Sequence, residues 1–352
     1  MGVRVGVNGF GRIGRNLVRA LIEREEAETA GAAGGEDPYR IEIVAINDIT
    51  SREANAHLLQ YDSTHGRLKQ PVEITGDGLL VGSRAITVFS ERDPKALSWG
   101  ELGVDVVIES TGRFTSRADA MAHVEAGAKR VIISAPSKDA DATFVVGVND
   151  TEFDPTRHIV VSNASCTTNC LVPMVKVVDD AFGLRQGLMT TVHAYTNDQE
   201  LLDLGRDNLR RARAAAVNIV PSSTGAARAT NLVLEHMKGR LDGQSLRVPV
   251  VDGSITDLTC VLGGALTVED VNDAFKEASR SGPLSPVLAY SEAAIVSSDI
   301  VGTSASCTFD ASLTMVVAID DESTLVKILG WYDNEWGYAY RLLDLAWIIS
   351  RA

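Results

Sequence analysis

"VRVGVNGFGRIGRNLVRALI", residues 3–22, is the stretch whose reading decides how the first half of the chain folds. A β-branched run leads into Gly9, Gly11 and Gly14 at the spacing G-x-G-x-x-G, and apolar residues then recur at helical intervals. A glycine triplet alone is a weak signal, because glycine-rich turns are common. Standing between a strand and a helix it becomes informative. The first two glycines permit a tight turn and close backbone approach, and the helix amino terminus offers N–H donors to a pyrophosphate. The next strand, "RIEIVAIND" (40–48), ends in Asp48, where an acid binds the adenosine ribose of a dinucleotide. That carboxylate also repels a 2′-phosphate, which favours NAD over NADP. Asp48 follows Gly9 by 39 residues, against ~20 in the usual motif. The small, Gly-rich segment "AETAGAAGGEDPY" (27–39) accounts for the excess and reads as a solvated surface insertion.

Outward from this motif, "VDVVIESTG" (104–112) and "AKRVIISAP" (128–136) read as further buried strands, with helical "RADAMAHVEAG" between them. Strand and helix in alternation predict a parallel sheet with helices on both faces. The character changes after about residue 165. "QGLMTTVHAYT", "LRVPVVDGSITDLTCVL" and "ASLTMVVAIDD" are longer, alternating and rich in Thr and Val, as in a mixed or antiparallel sheet. "VEDVNDAFKEAS" and "YRLLDLAWIISRA" look helical. A chain of 352 residues, 45% of them hydrophobic, suits two or three such domains.

Net charge is −14, and an acidic surface repels nucleic-acid phosphate; the densest basic cluster, "LRRAR" (209–213), is short. Four cysteines form no disulfide framework and fit a reducing compartment. The amino terminus opens directly on a strand with no signal-like segment, and no apolar run spans a bilayer, so the expectation is a soluble cytoplasmic protein without membrane or nucleic-acid partners.

"SNASCTTNC" (162–170) holds two cysteines four residues apart. Nearby His and Cys make no four-ligand set at zinc-site spacing, so no metal is expected. C-x-x-x-C is not the spacing of the familiar dithiol motif. A buried free cysteine is the ordinary outcome for such a residue. The helical pattern from Cys166 onward, however, puts its thiol at a positive helix end, which favours thiolate, and places Cys170 one turn further in. His193, in the alternating strand "TTVHAYTNDQ", is a candidate partner, since thiol-based hydride chemistry requires a Cys–His pair.

Taken together, "NGFGRIGR", "SNASCTTNC", "TVHAYTNDQ", "LRRARAAAVNIVPSSTGAA", "LRVPV" and "WYDNEWGY" resemble phosphorylating glyceraldehyde-3-phosphate dehydrogenase of the bacterial type, in order and over nearly the whole chain. "SCTTNC" and "WYDNEWGY" are the specific matches. The resemblance implies an α/β chain in which a Rossmann dinucleotide-binding domain (1–165, completed by a C-terminal helix, 334–352) is joined to an α+β catalytic domain (166–333) with a mixed, largely antiparallel sheet. It implies a homotetramer using NAD, glyceraldehyde 3-phosphate and inorganic phosphate. By the same resemblance Cys166 is the nucleophile and His193 its base, with Ser165 and Thr167 flanking the thiol. Thr224 and Gly225 match the loop for inorganic phosphate. Thr196, Asp198 and Arg247 match the site of the substrate's own phosphate, with Arg211 among the anion ligands. Gly9, Gly11, Arg12 and Ile13 fall at the pyrophosphate, Asp48 at the ribose, Arg92 and Ser134 along the dinucleotide, and Asn334 at the nicotinamide amide. The implied chemistry is oxidative phosphorylation through a cysteine thioester.

The chain departs from the family pattern at three places. Gly205-Arg206-Asp207-Asn208 stands where Pro-His-Lys-Asp is usual, Val250-Val251-Asp252-Gly253 where Thr-Pro-Asn-Val is usual, and Cys307 where Ser is usual. Drift in a paralogue is the ordinary explanation of the altered loops, and an isoform less sensitive to bulky thiol-directed inhibitors is the sharper one. Erythrose-4-phosphate dehydrogenase is the nearest rival, disfavoured by Thr224-Gly225. An NADP-linked isoform is disfavoured by Asp48. A catalytically idle scaffold is disfavoured by intact Cys166, His193 and Arg247.

Overall fold

A computed structural model describes residues 2–31 and 40–351. The chain divides into two compact units, one of residues 1–144, 150–164 and 339–352, the other of 145–149 and 165–338.

In the first unit β1 (Val3–Asn8) leads into α1 (Arg12–Gly31), β2 (Ile41–Asn47) and α2 (Arg52–Gln60), and β3 (Tyr61–Asp62) with β4 (Gly66–Arg67) makes a small hairpin. There follow β5 (Val72–Ile74), β6 (Gly78–Val81), β7 (Arg84–Phe89), β8 (Val106–Glu109), α3 (Arg117–Glu125), β9 (Arg130–Ile133), β10 (Ala142–Thr143) and β11 (Val160–Ser162). Nine of these strands form one sheet in the order β10-β11-β9-β8-β1-β2-β7-β6-β5. Neighbours from β10 to β7 are parallel, and β6 and β5 add an antiparallel edge. The expected parallel sheet is therefore mixed at one side, where tight turns replace helical crossovers. All of β8 and nearly all of β1 and β2 are buried, as central strands covered on both faces must be. The insertion expected at 27–39 is corrected in part: α1 continues through 27–31, whose Ala and Glu residues are good helix formers, while 32–39 lie outside the described residues.

The second unit begins with α4 (Cys166–Phe182) and β12 (Leu184–Ala194), then β13 (Val220–Ser223), α5 (Ala226–Val233), β14 (Leu241–Val248) and β15 (Ser254–Gly263). It continues through α6 (Val268–Arg280), β16 (Leu288–Ser291), α7 (Ser297–Ile300), β17 (Cys307–Asp310), β18 (Met315–Asp320) and β19 (Ser323–Tyr332). The sheet order is β13-β14-β12-β15-β19-β17-β16, with β18 also paired to β19. Pairings are antiparallel except β12–β14 and β16–β17. "LRVPVVDGSITDLTCVL" is two strands, broken where Pro249 lacks an N–H and Gly253 takes φ +85°. Side chains of β15 alternate strictly between buried and half-buried, and α4 lies against β12, β15, β17 and β19. α8 (Trp336–Arg351) starts in this unit and from Ala339 belongs to the first, where Asp344 meets Arg24 at 2.5 Å and the Tyr340 hydroxyl donates to Glu23 at 3.0 Å.

Candidate active site and nucleotide pocket

The chain leaves β11 at Ser162 and enters α4 at Cys166 through a turn in which the fully buried Ala164 takes φ +55°. A non-glycine residue in that region carries a strain of about 1–2 kcal/mol. The helix start is fixed by Ser165, whose hydroxyl accepts from Thr168 N at 3.1 Å. Cys166 is thus the first helical residue. Its Sγ lies 3.4 Å from His193 Nε2. Cys170, one turn on, is fully buried and points its thiol at the Gly330 carbonyl, 3.4 Å away.

His193 reaches Cys166 because β12 alternates and turns Thr191 and His193 to its buried face. On the far side of the ring, Nδ1 is 2.7 Å from the Ala194 carbonyl and 2.5 Å from Arg247 Nη1. The carbonyl can only accept and the guanidinium can only donate, and the same Arg247 Nη1 also donates to the Ala194 carbonyl at 3.1 Å, so a proton on Nδ1 serves the carbonyl and a lone pair there serves the arginine. A base at Cys166 needs the first of these, with the Nε2 lone pair toward the thiol. Arg247 is set by strand register, since β12 and β14 pair His193 with Arg247 directly.

Tyr332 was not assigned a role from sequence, although it lies within "WYDNEWGY". It packs edge-on against the His193 ring, centroids 5.9 Å apart, and its buried hydroxyl bonds to Thr167 at 3.0 Å and Thr191 at 2.7 Å. It ties α4 to β12, and therefore Cys166 to His193. No sequence spacing links residues 167, 191 and 332.

Two influences oppose each other at Cys166. The N–H groups at the start of α4 favour thiolate, as expected, and desolvation disfavours it. The residue keeps part of its surface open, yet burial of its surroundings pushes the thiol up to about 11, against the pull of Arg247 and of hydrogen bonds at Thr167. Burial, and then the Arg247 charge, push His193 down to about 3. Desolvation is the first cause in both, and it disfavours the thiolate and the imidazolium alike.

Beyond Arg247 the anion residues form a second cluster. The Asp198 carboxylate takes the Thr196 hydroxyl and a short ion pair from Arg211, and Arg211 Nε donates to Ser222 at 3.0 Å. Arg206, in the altered loop, donates to the Asp198 carbonyl at 2.8 Å and pairs with Glu200. Thr224 and Gly225 sit at the start of α5, where the Thr224 hydroxyl accepts from Ala226 N at 3.2 Å. The Asn334 side chain accepts from Ser254 Oγ at 2.6 Å. Asp252, in the other altered loop, is buried, and burial together with Asp333 and Glu335 pushes its carboxyl up to about 9.

The first unit holds a cavity of about 360 Å³ at the carboxyl ends of its central strands, with Gly9, Gly11, Asp48, Arg92, Ser110 and Thr111 in its walls. Gly9 has φ +93°, and a Cβ there would fall 2.7 Å from Thr111 N; a Cβ on Gly14 would fall 2.3 Å from the Gly9 carbonyl. Asp48 accepts from Phe10 N and Thr50 N, each at 2.8 Å, and so ties the glycine loop to the end of β2. Of the other expected cofactor residues, Arg12 pairs with Asp62 at the start of α1, Ile13 follows it, and Ser134 lies just past β9.

Residues 3–117 match the family description "Glyceraldehyde 3-phosphate dehydrogenase, NAD binding domain", and residues 165–334 match its C-terminal domain. The chain is 58% identical over 345 residues to the glyceraldehyde-3-phosphate dehydrogenase of Streptomyces coelicolor, covering 98% of each chain. The chain belongs to the glyceraldehyde-3-phosphate dehydrogenase family. Other members are similar over comparable lengths: the Geobacillus stearothermophilus dehydrogenase is 52% identical over 350 residues, 99% of each chain, and dehydrogenase 2 of Streptomyces avermitilis is 56% identical over 345 residues, 98% of each. Among the described residues, no helix is long and apolar enough to cross a membrane.

Proposed function

We propose that the protein is an NAD-dependent glyceraldehyde-3-phosphate dehydrogenase that oxidises and phosphorylates its substrate through a thioester on Cys166. The observation that carries this reading is the Cys166–His193 pair, Sγ and Nε2 3.4 Å apart, in a chain of this family. Cys166 adds its sulfur to the aldehyde carbon while a proton passes to the carbonyl oxygen, giving a hemithioacetal, and His193 Nε2 takes the hydroxyl proton as hydride leaves the same carbon. Bound NAD would supply the hydride acceptor for this carbon. The thioester left on Cys166 is then attacked by phosphate, which releases an acyl phosphate and the free thiol. Arg247, Arg211, Thr196 and Asp198 serve the substrate phosphate, and Thr224 and Gly225 the inorganic one.

The nucleotide cavity fits NAD by its chemistry, with a glycine loop that admits close approach at Gly9 and an acid, Asp48, at the end of β2. Gly9, Gly11, Arg12, Ile13, Asp48, Arg92 and Ser134 would hold the dinucleotide, and Asn334 its nicotinamide amide. In this reading residues 1–165 with 334–352 are the NAD-binding domain and 166–333 the catalytic domain, in the cytoplasm. A homotetramer is supported by exposed apolar side chains at Leu201, Leu202, Leu209 and Val217; light scattering at micromolar concentration tests it. Turnover of glyceraldehyde 3-phosphate with NAD and phosphate, compared with erythrose 4-phosphate, tests the activity. A preference for erythrose 4-phosphate would refute it.

A finer reading follows from the altered loops. Arg206 contacts the Asp198 backbone and Asp252 adds a buried acid, so both changes reach segments beside the anion and Asn334 positions. These altered walls would slow bulky inhibitors more than the substrate. Restoring Pro-His-Lys-Asp at 205–208 and Thr-Pro-Asn-Val at 250–253 should then speed inactivation of Cys166 by such inhibitors with little change in turnover. Equal rates would refute it.

A further inference from the structure

A chain of buried polar side chains in the first unit ends in the walls of the nucleotide cavity and has no part in the chemistry above. Its centre is Glu109, the last residue of β8 and 1% exposed. One carboxylate oxygen accepts from His123 Nε2 at 2.9 Å and from Asn8 Nδ2 at 2.6 Å. The other accepts from Thr111 N at 2.8 Å and from the Thr111 hydroxyl. Four donors converge on this group, as burial of a carboxylate requires.

The direction of every bond is set from one end. Trp99 Nε1 lies 3.1 Å from His123 Nδ1, and an indole N–H can only donate. His123 Nδ1 is therefore the acceptor, and the ring proton sits on Nε2, facing Glu109. Asn8 spends its amide N–H on Glu109, which turns its carbonyl oxygen to Asn47 Nδ2 at 2.7 Å. Asn47 in turn clamps the Glu91 backbone from both sides: its Nδ2 donates to Glu91 O at 2.9 Å, and its Oδ1 accepts from Glu91 N at 2.8 Å. Asn8, Asn47, Glu91 and Thr111 all line the cavity, with Arg92 beside them. Phe114, another wall residue, meets the His123 ring edge-on at 6.4 Å.

We infer that Glu109 is a positioning residue for the dinucleotide: through Asn8, Asn47 and Thr111 it holds the Glu91–Arg92 wall and the mouth of the cavity, with Trp99 and His123 fixing the polarity. The inference rests on the reading of this cavity as the NAD site. Glu109→Gln would turn an amide N–H toward an N–H of Asn8 and His123 on one side or of Thr111 on the other, so the network must break somewhere. His123→Gln can keep one donor and one acceptor, whereas His123→Leu keeps neither.

Binding of NAD and of ADP-ribose, which lacks nicotinamide, is measured by calorimetry on the wild-type protein and the three variants, together with kcat at saturating NAD and iodoacetamide alkylation of Cys166 without cofactor. In E109Q and H123L, Kd for both ligands should rise about 10-fold or more in parallel. Alkylation should be unchanged and kcat altered less than about 3-fold, with H123Q near wild type. Wild-type affinity for both ligands in folded E109Q would overturn the inference. Should E109Q fail to fold, the same result in H123L would overturn it. A wild-type protein that binds neither ligand would instead overturn the NAD reading, and this inference with it.

Discussion

Arg247 Nη1 lies 2.5 Å from His193 Nδ1, held there because β12 and β14 run parallel with these two residues in register. A permanent cation thus stands behind the base and works on both partners in front of it. It repels a proton on His193 and attracts charge on Cys166.

Replacing Arg247 with Leu should raise both titrations. The imidazole, at about 3 with the arginine present, should move toward its ordinary value, and the thiol, already near 11, should move higher. Iodoacetamide alkylation of Cys166 followed from pH 6 to 10 reads the second shift as a slower reaction at every pH. An alkylation profile identical to wild type would show that the arginine charge does not reach the sulfur.

Cys166→Ser should abolish turnover while NAD binding stays measurable, since an alkoxide is far harder to form than a thiolate. Cys170→Ser should cost much less, because that thiol is enclosed and bonded to the Gly330 carbonyl. Steady-state rates and cofactor titrations on the two variants decide the matter; equal loss in both would reverse the assignment.

His193→Asn removes the ring nitrogen that faces Sγ. A loss in rate of ~10²–10⁴-fold is expected for a positioned base, with slower alkylation at neutral pH. Unchanged alkylation would dissolve the pair as a chemical unit.

Asp48→Gly should weaken NAD and relax discrimination against NADP, as the carboxylate at the cavity wall both binds a ribose and repels a 2′-phosphate. It also frees Phe10 N and Thr50 N. Competitive titration of the two cofactors checks this, and an unchanged preference would place discrimination elsewhere.

Asp252→Asn restores the residue usual in the family and should stabilise the protein in a pH-dependent way. With its folded value pushed up to about 9 against an ordinary value of 3.8, Asp252 must take up a proton to fold at neutral pH. Its contribution is fully present below pH 3.8 and is lost as pH rises toward 9, so the advantage of Asn should grow over that window. The slope is at most ~1.4 kcal/mol per pH unit. Thermal midpoints of both proteins at pH 5 and pH 8 check it; a gap that narrows with pH would be the wrong sign.

The nucleotide half was legible in the sequence because its signals are local. Gly14 stands where a side chain would strike the Gly9 carbonyl, a constraint that acts within one turn of chain, whereas the clash of a Cβ at Gly9 with Thr111 is set by the packed sheet. The antiparallel edge of β5 and β6 was not legible, since period-two patterning does not state strand direction. The helical continuation of α1 through 27–31 was obscured by the glycines that follow.

By itself the sequence determined the residue types that matter, the start of α4 at Cys166 and the strand carrying His193. It did so because capping by Ser165 and alternation along β12 are short-range properties of the chain. Only the tertiary structure decided that Arg247 backs His193, that Tyr332 ties Thr167 to Thr191, and that His123, Glu109, Asn8 and Asn47 form one chain of bonds. Those partners lie between 14 and 165 residues apart along the chain, and strand register with sheet order brings them together. Burial likewise became visible only there. Desolvation belongs to the packed surroundings of a group, and at Cys166 it opposes the pull of the helix start although part of the residue stays open.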